Sequence, residues 1–268
     1  MTETGGNMRR EPIRIVHITD THITAEAGAK VYGIDSFEAL ANLVSLVHQN
    51  PVKQDLIVAT GDLSEDGTHA SYQRFRSLVT PLAVPVYCIP GNHDARSVMD
   101  NHLRGGNVHI QRQVVLGQWQ IVFLDSHIPG DVHGYLTVEE LAALGKALQE
   151  MPDHYALVCL HHGPFPVCPM LPCCLENAEE FLAIIRRYPN VRCVLSGHNH
   201  CLVDEQYDRV HILVTPSTFV QISHPTETDD QRAFWDAHSL DTGHQGLRRL
   251  ELHSDGRITT EVTWVELL

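Results

Sequence analysis

The chain has 268 residues, 43% hydrophobic and 19% charged, which suits one large α/β domain with a substantial core. No apolar run approaches the ~20 residues of a membrane-spanning helix, and a formal net charge of −14 argues against the basic surface that nucleic-acid binding needs, so neither a membrane nor a nucleic acid is an expected partner. Residues 1–11 are polar and lack the apolar segment of a signal peptide; they are expected to be a disordered tail before a single domain over residues 12–268, in a cytoplasmic protein.

The elements alternate between strand and helix. Ile13 to Thr19 has the apolar run of a buried strand. Asp35, with Glu38 three residues on, has the form of a capping box and opens a helix through Leu40, Leu43, Val44 and Val47. Asp55 to Thr60 is of strand length, Tyr72 to Val79 helical, and Val84 to Ile89 a further strand. Val114 to Leu116 and Trp119 to Leu124 flank Gly117-Gln118 as a hairpin. Thr137 with Glu140 opens a helix to about Glu150. A strand over Ala156 to Leu160, a helix over Ala178 to Tyr188 and a strand over Val191 to Leu195 follow. Leu247 to His253 and Arg257 to Trp264 flank Asp255-Gly256, a strong hairpin signal. The alternation predicts a layered α/β fold with at least one mixed sheet. The polar stretch from His224 to Gly246 reads as a flexible insertion at the rim of a site or as a loop.

Seven cysteines in a chain without an export signal are expected to be reduced thiols. Cys168, Cys173 and Cys174 lie close together, but no CxxC pair with a matching second pair marks a zinc site; they read as free thiols of a Pro-rich loop. Histidine is abundant, 19 residues against 19 Lys plus Arg, and it is the commonest metal ligand. Bound cations would also reconcile the acidic chain with an anionic substrate.

Histidines and acids gather just beyond strand ends. Asp20 and His22 follow the first strand, Asp62 the second, and Asn92, His93 and Asp94 the third. His161 and His162 follow the strand ending at Leu160, and His198 and His200 the one ending near Ser196. Ligands of open α/β sheets bind at such ends. Carboxylates and an amide mixed with imidazoles suit Mn, Fe, Zn or Co better than Ca or Mg, and a carboxylate shared by two ions about 3.5–4 Å apart is the arrangement of two-metal hydrolysis. His17, on the first strand, reads as a core residue, and the histidines without motif context as surface or packing residues.

The five blocks Asp20-Thr21-His22, Gly61-Asp62, Gly91-Asn92-His93-Asp94, His161-His162 and Gly197-His198-Asn199-His200 resemble, in order, those of the calcineurin-like metallophosphoesterase superfamily. The resemblance implies a four-layer α/β/β/α sandwich of two mixed sheets flanked by helices. It implies two metal ions, one held by Asp20, His22 and His200, the other by Asn92, His161 and His198, with Asp62 bridging. His93 would act on the substrate as transition-state stabiliser or acid, and Asp94 would orient it.

Ser/Thr protein phosphatases carry Asp-Arg-Gly after the first Gly-Asp and Glu after Asn-His; Glu65-Asp66-Gly67 and Asp94 depart from that pattern. The chain is most similar to the bacterial class III cyclic-nucleotide phosphodiesterases, through Ile18 to His22, Ala59 to Ser64, Pro90 to Asp94, Leu124-Asp125-Ser126, Leu157 to His162, Thr215 to Thr218 and Leu252 to Arg257. Gly163, where some members carry a third His, and the segments Cys168 to Leu175 and His224 to Gly246 depart from it. The resemblance implies hydrolysis of a 3′,5′-cyclic nucleotide, cyclic AMP first, to a 5′-monophosphate by a metal-bridging hydroxide, with His93 assisting the leaving 3′ oxygen. Asn92, His93, His162, Asn177, Thr215 and Ser217 are candidates for the substrate pocket. A glycerophosphodiesterase or broader phosphodiesterase, a phosphatase or nucleotidase acting on monoesters, and a non-catalytic scaffold remain as alternatives. Relatives are often dimers, which leaves a homodimer open.

Overall fold

The computed structural model describes residues 11–166, 174–222 and 240–267. Its strands are β1 (Ile13–Ile18), β2 (Leu56–Thr60), β3 (Val86–Ile89), β4 (Val108–His109), β5 (Gln113–Leu116), β6 (Trp119–Phe123), β7 (Tyr155–Cys159), β8 (Val191–Ser196), β9 (Val203–Tyr207), β10 (Val210–Val214), β11 (Gln221–Ile222), β12 (Leu240–Asp241), β13 (His244–Leu252) and β14 (Ile258–Glu266). The α-helices are α1 (Ser36–Gln49), α2 (His69–Val79), α3 (Arg96–His102), α4 (Val138–Glu150) and α5 (Ala178–Arg187).

Two six-stranded mixed sheets form the frame. The first runs β14-β13-β1-β2-β3-β4, the second β5-β6-β7-β8-β10-β9. In the first, β1 to β4 are parallel and the β13–β14 hairpin pairs antiparallel at the edge. In the second, β6, β7, β8 and β10 are parallel, with β5 and β9 antiparallel at the two edges.

The period-2 alternation of each strand builds the layers. Val16 and Ile18 of β1 and Ile57 and Ala59 of β2 pack with Leu40, Leu43, Tyr72, Phe75 and Met99 of α1 to α3. Val122, Val158, Val194 and Ile212 of the second sheet pack with Leu144, Leu148, Phe181 and Ile185 of α4 and α5. Between the sheets lie Ile15, Leu56, Val58, Ile89, Trp119, Ile121, Leu157 and Leu195. That order, helix, sheet, sheet, helix, is the four-layer sandwich. Each of these fully buried Leu, Ile, Val or Phe side chains contributes roughly 1.5–3 kcal/mol against exposure.

Helix starts follow the caps seen in the sequence. Asp35 accepts from the backbone N–H of Phe37 and Glu38, and Thr137 from that of Glu140. Helix α3 begins at Ala95 with no side-chain cap. The segment His224 to Gly246 is partly described: Leu240 and Asp241 pair with β11, and β13 begins at His244; residues 223–239 lie outside the described residues, as do Cys168 and Cys173. No helix among the described residues is long and apolar enough to cross a membrane.

One polar chain crosses the layer between the sheets. Arg248, 1% exposed, donates through Nε to Thr215 Oγ1 (3.2 Å) and through its Nη2 to the carbonyls of Val203 and Val214 (3.1 Å each). Thr215 then has its hydroxyl proton for His17 Nδ1 (2.6 Å), and His17 Nε2–H donates to Thr60 Oγ1 (2.7 Å). Buried polar groups persist in an apolar layer when hydrogen-bonded in this way. His17 is thus the core residue its place on the first strand predicts.

Candidate metal centre

The turns after β1, β2, β3, β7 and β8 meet at one edge of the two sheets, and they are built with unusual backbone. Asp20 (φ 53°), His22 (φ 46°), Asp62 (φ 48°), His198 (φ 70°) and His200 (φ 48°) all occupy the left-handed region. Such conformations cost about 1–3 kcal/mol each for a non-glycine residue and gather at functional sites. Cross-turn hydrogen bonds hold them: Asp20 N–H to Gly61 O (3.0 Å), His22 N–H to Asp62 O (2.9 Å) and Ser217 Oγ–H to Asp20 O (2.9 Å). Gly61 (φ 96°) has no room for a side chain, since a Cβ there would lie 2.5 Å from His161 Nδ1 and 2.7 Å from Gly91 N.

The turns bring together lone pairs with few protons to share. His200 Nδ1–H donates to Val220 O (2.9 Å), which leaves its Nε2 a lone pair; His22 Nδ1 faces Glu65 Oε2 (2.7 Å), and the two Nε2 atoms are 3.1 Å apart. His161 Nδ1–H donates to Thr60 O (2.6 Å), and its Nε2 lies 3.4 Å from Asp62 Oδ2 and 3.2 Å from Asn92 Oδ1. His22 Nε2 is 3.6 Å from Asp62 Oδ2, and His200 Nε2 is 3.5 Å from Asp20 Oδ1. Donor atoms of Asp20, His22 and His200 lie within 4.8 Å of one another, as do those of Asp20, Asp62 and His161, of His22, Asp62 and His93, and of His161, His162 and His198. Acceptors crowded face to face in a buried place repel unless a cation sits among them, so the donor set fits metal ions.

The protonation states express the same crowding. Burial pushes the Asp20 carboxyl up, while Asp62, despite burial, is held well below the usual range by His161 and His22. His161 is raised to about 9 because Asp62 and Asp20 outweigh its burial. Burial, with neighbouring imidazoles, drops His198 and His200 to about 3. Without a metal the cluster gathers a proton at its centre.

His93 stands at the rim, its side chain 39% exposed. Its backbone N–H donates to Asp62 Oδ1 (2.8 Å), and its Nδ1 lies 3.3 Å from both Oε2 and the backbone O of Glu65. Asp94 does not orient His93, contrary to the expectation. Its carboxylate turns inward to the N–H groups of Gly91 (2.9 Å), Ser64 (3.1 Å) and Leu63 (3.2 Å) and to the Tyr72 hydroxyl (3.0 Å), tying the turn after β2 to the turn after β3. The group beside His93 is Glu65, which is not among the residues the sequence offers for the site. Burial opposes its ionisation, but His22 and His93 lower it to about 2.

Three pocket candidates are hydrogen-bonded within the frame. Asn177 accepts from Leu136 N–H (3.0 Å) and donates to Leu136 O (2.8 Å), which occupies its amide. Thr215 belongs to the inter-sheet chain, and Ser217, fully buried, braces the carbonyl of Asp20. His162 does lie against the cluster, its ring 4.7 Å from that of His161 and 4.5 Å from that of His198. A cavity of about 340 Å³ between Arg14, Gln54 and Arg249 contains none of these residues.

A family model described as calcineurin-like phosphoesterase matches residues 13–202. The chain is 38% identical over 256 residues to the 3′,5′-cyclic adenosine monophosphate phosphodiesterase CpdA of Pseudomonas aeruginosa, covering 95% of this chain and 90% of that one. It is 31% identical to the glycerophosphodiester phosphodiesterase GpdQ of Enterobacter lignolyticus, over 83% of this chain and 82% of that one. Among solved structures, a dimetal phosphatase from Danio rerio shares the fold at a TM-score of 0.64 and 13% identity, covering 93% of this chain and 99% of that one. The matched region spans the five ligand-bearing turns, and the chain belongs to the calcineurin-like phosphoesterase family.

Proposed function

We propose that this protein is a dinuclear-metal 3′,5′-cyclic-nucleotide phosphodiesterase that converts cyclic AMP to 5′-AMP. The observation that carries the reading is the face-to-face set of imidazole and carboxylate lone pairs at the sheet edge, in a chain similar to CpdA over 95% of its length.

Asp20, His22 and His200 would hold one ion, Asn92, His161 and His198 the other, and Asp62 both. The donor set favours Mn, Fe, Zn or Co. Bound there, such ions supply positive charge to the phosphoryl oxygens and lower the pKa of a water to near neutrality. The chain's own groups do the rest. Thr60 O and Val220 O fix the tautomers of His161 and His200. His93, held through Nδ1 by Glu65, keeps Nε2 for the substrate and delivers a proton to the departing 3′ oxygen. Asp94 keeps the two turns that carry Asp62 and His93 in register.

Similarity to GpdQ supports a second reading, a glycerophosphodiesterase with the same metal residues. Cyclic AMP, a glycerophosphodiester and an aryl phosphomonoester, offered to metal-stripped protein reloaded with Mn, separate the readings. Preferential, chelator-sensitive turnover of cyclic AMP is expected. Preference for the glycerophosphodiester would move the assignment to the second reading, and preference for the monoester would refute both.

A further inference from the structure

His162 is the one buried imidazole of the site whose chemistry is left over. It is fully buried, its Nδ1 lies 2.8 Å from Ser126 Oγ, and its Nε2 has no hydrogen-bond partner among the described residues. The donor nitrogens of His161, His162 and His198 all lie within 4.8 Å of one another. The ring has little freedom to turn away: Gly134 packs so closely that any Cβ at that position would overlap the Cβ and ring of His162. A buried polar atom left unpaired is destabilising. Here that atom is held, by a hydrogen bond at one end and steric contact along its side, against two nitrogens that share its need for a cation.

We propose that His162 Nε2 is a third imidazole donor to the ion held by His161 and His198, with Ser126 fixing its tautomer from behind. The inference rests on the dinuclear reading above and deepens it. With Nδ1–H donating to Ser126, Nε2 keeps its lone pair, on a ring 4.7 Å from that of His161 and 4.5 Å from that of His198. That position then has three nitrogens beside the Asn92 amide oxygen, while the Asp20, His22 and His200 position has two nitrogens and a carboxylate, with Asp62 shared by both. The two positions therefore differ in kind. The His162 position prefers nitrogen-seeking ions such as Co or Zn over Mg or Mn, which favour oxygen donors.

The test is a Co(II) titration of metal-stripped full-length protein, read by visible absorption and by metal analysis after desalting. Wild type, His162→Ala and Ser126→Ala are compared, and far-UV circular dichroism of each metal-free protein checks the fold. Wild type is expected to bind two ions. His162→Ala should weaken one of the two by roughly 100-fold or more, leave the other unchanged and alter the visible spectrum of the weakened ion; added imidazole should restore part of the loss. Ser126→Ala, which keeps the imidazole, should weaken the same ion about 10-fold, the size of an outer-sphere effect. Two ions bound by His162→Ala with wild-type affinities and spectrum would overturn the inference and leave the dinuclear reading standing, as would equal weakening of both ions. If His162→Ala does not fold, Ser126→Ala decides alone: no change in either ion overturns the inference. Failure of wild type to bind two ions would instead refute the dinuclear reading itself.

Discussion

Glu65 Oε2 lies 2.7 Å from His22 Nδ1 and 3.3 Å from His93 Nδ1, so one carboxylate grips both a candidate metal ligand and the candidate acid. The carboxylate–histidine pairing fixes the tautomer that leaves His22 Nε2 free for a metal. Glu65→Gln keeps the shape and removes the charge. It is expected to weaken the ion held by His22 by about 10–100-fold and to lower kcat as well, because His93 loses the same partner. Metal competition and steady-state kinetics on one preparation check both; loss of metal affinity with kcat unchanged at saturating metal would separate Glu65 from His93.

Asp62 lies between the imidazoles of His22 and His161 and also accepts from His93 N–H. Asp62→Ala is expected to reduce the metal content from two ions to one or none and to cut turnover by more than about 10³-fold, the loss of charge stabilisation at the reacting centre. Metal analysis with cyclic AMP turnover measures it, and near-wild-type turnover would refute the bridging assignment.

Burial, and to a lesser degree Arg248, hold His17 well below its ordinary pKa. It is neutral when folded, whereas the unfolded chain protonates it below about 6.5. The unfolded state therefore binds more protons there as pH falls, and stability is lost below about pH 6.5, by up to ~1.4 kcal/mol per pH unit. Above pH 6.5 the group adds no pH dependence. Urea unfolding of metal-stripped wild type and His17→Gln from pH 5 to 8 is expected to give a variant that is less stable at pH 8 and whose deficit narrows on acidification. A constant deficit would contradict the neutral assignment.

Gly61→Ala places a Cβ 2.5 Å from His161 Nδ1 on a residue with φ 96°. The backbone strain alone costs about 1–3 kcal/mol, and His161 must move. A lower melting temperature together with weakened metal binding is expected; a change in melting temperature with metal affinity intact would show that His161 has room to relax.

The sequence made most of this site legible because metal chemistry restricts residue types and the parallel strands restrict their places. Asp20, His22, Asp62, Asn92, His93, His161, His198 and His200 each follow a strand that the apolar runs reveal. Glu65 escaped because Ser64-Glu65-Asp66-Gly67 has the composition of a solvated turn, and nothing local says that its carboxylate folds back over two imidazoles. The orienting role that the resemblance implies for Asp94 does not match its side chain, which bonds to Leu63, Ser64, Gly91 and Tyr72, because neighbouring side chains of a tight turn diverge. Thr215 and Ser217 follow the end of β10 as the ligands follow their strands, but both are fully buried and hydrogen-bonded within the frame, a distinction set by packing. Strand β9 (Val-Asp-Glu-Gln-Tyr) is an edge strand with little apolar content, and α3 has no capping residue, so neither announced itself.

The most direct test of the account is phosphorus NMR of cyclic AMP incubated with Mn-loaded protein, with and without chelator, alongside His93→Ala. 5′-AMP is expected to accumulate, abolished by chelator and slowed in His93→Ala by about 10²–10⁴-fold, the contribution of general acid catalysis. Unchanged cyclic AMP in the presence of two bound ions, or 3′-AMP as the product, would contradict it.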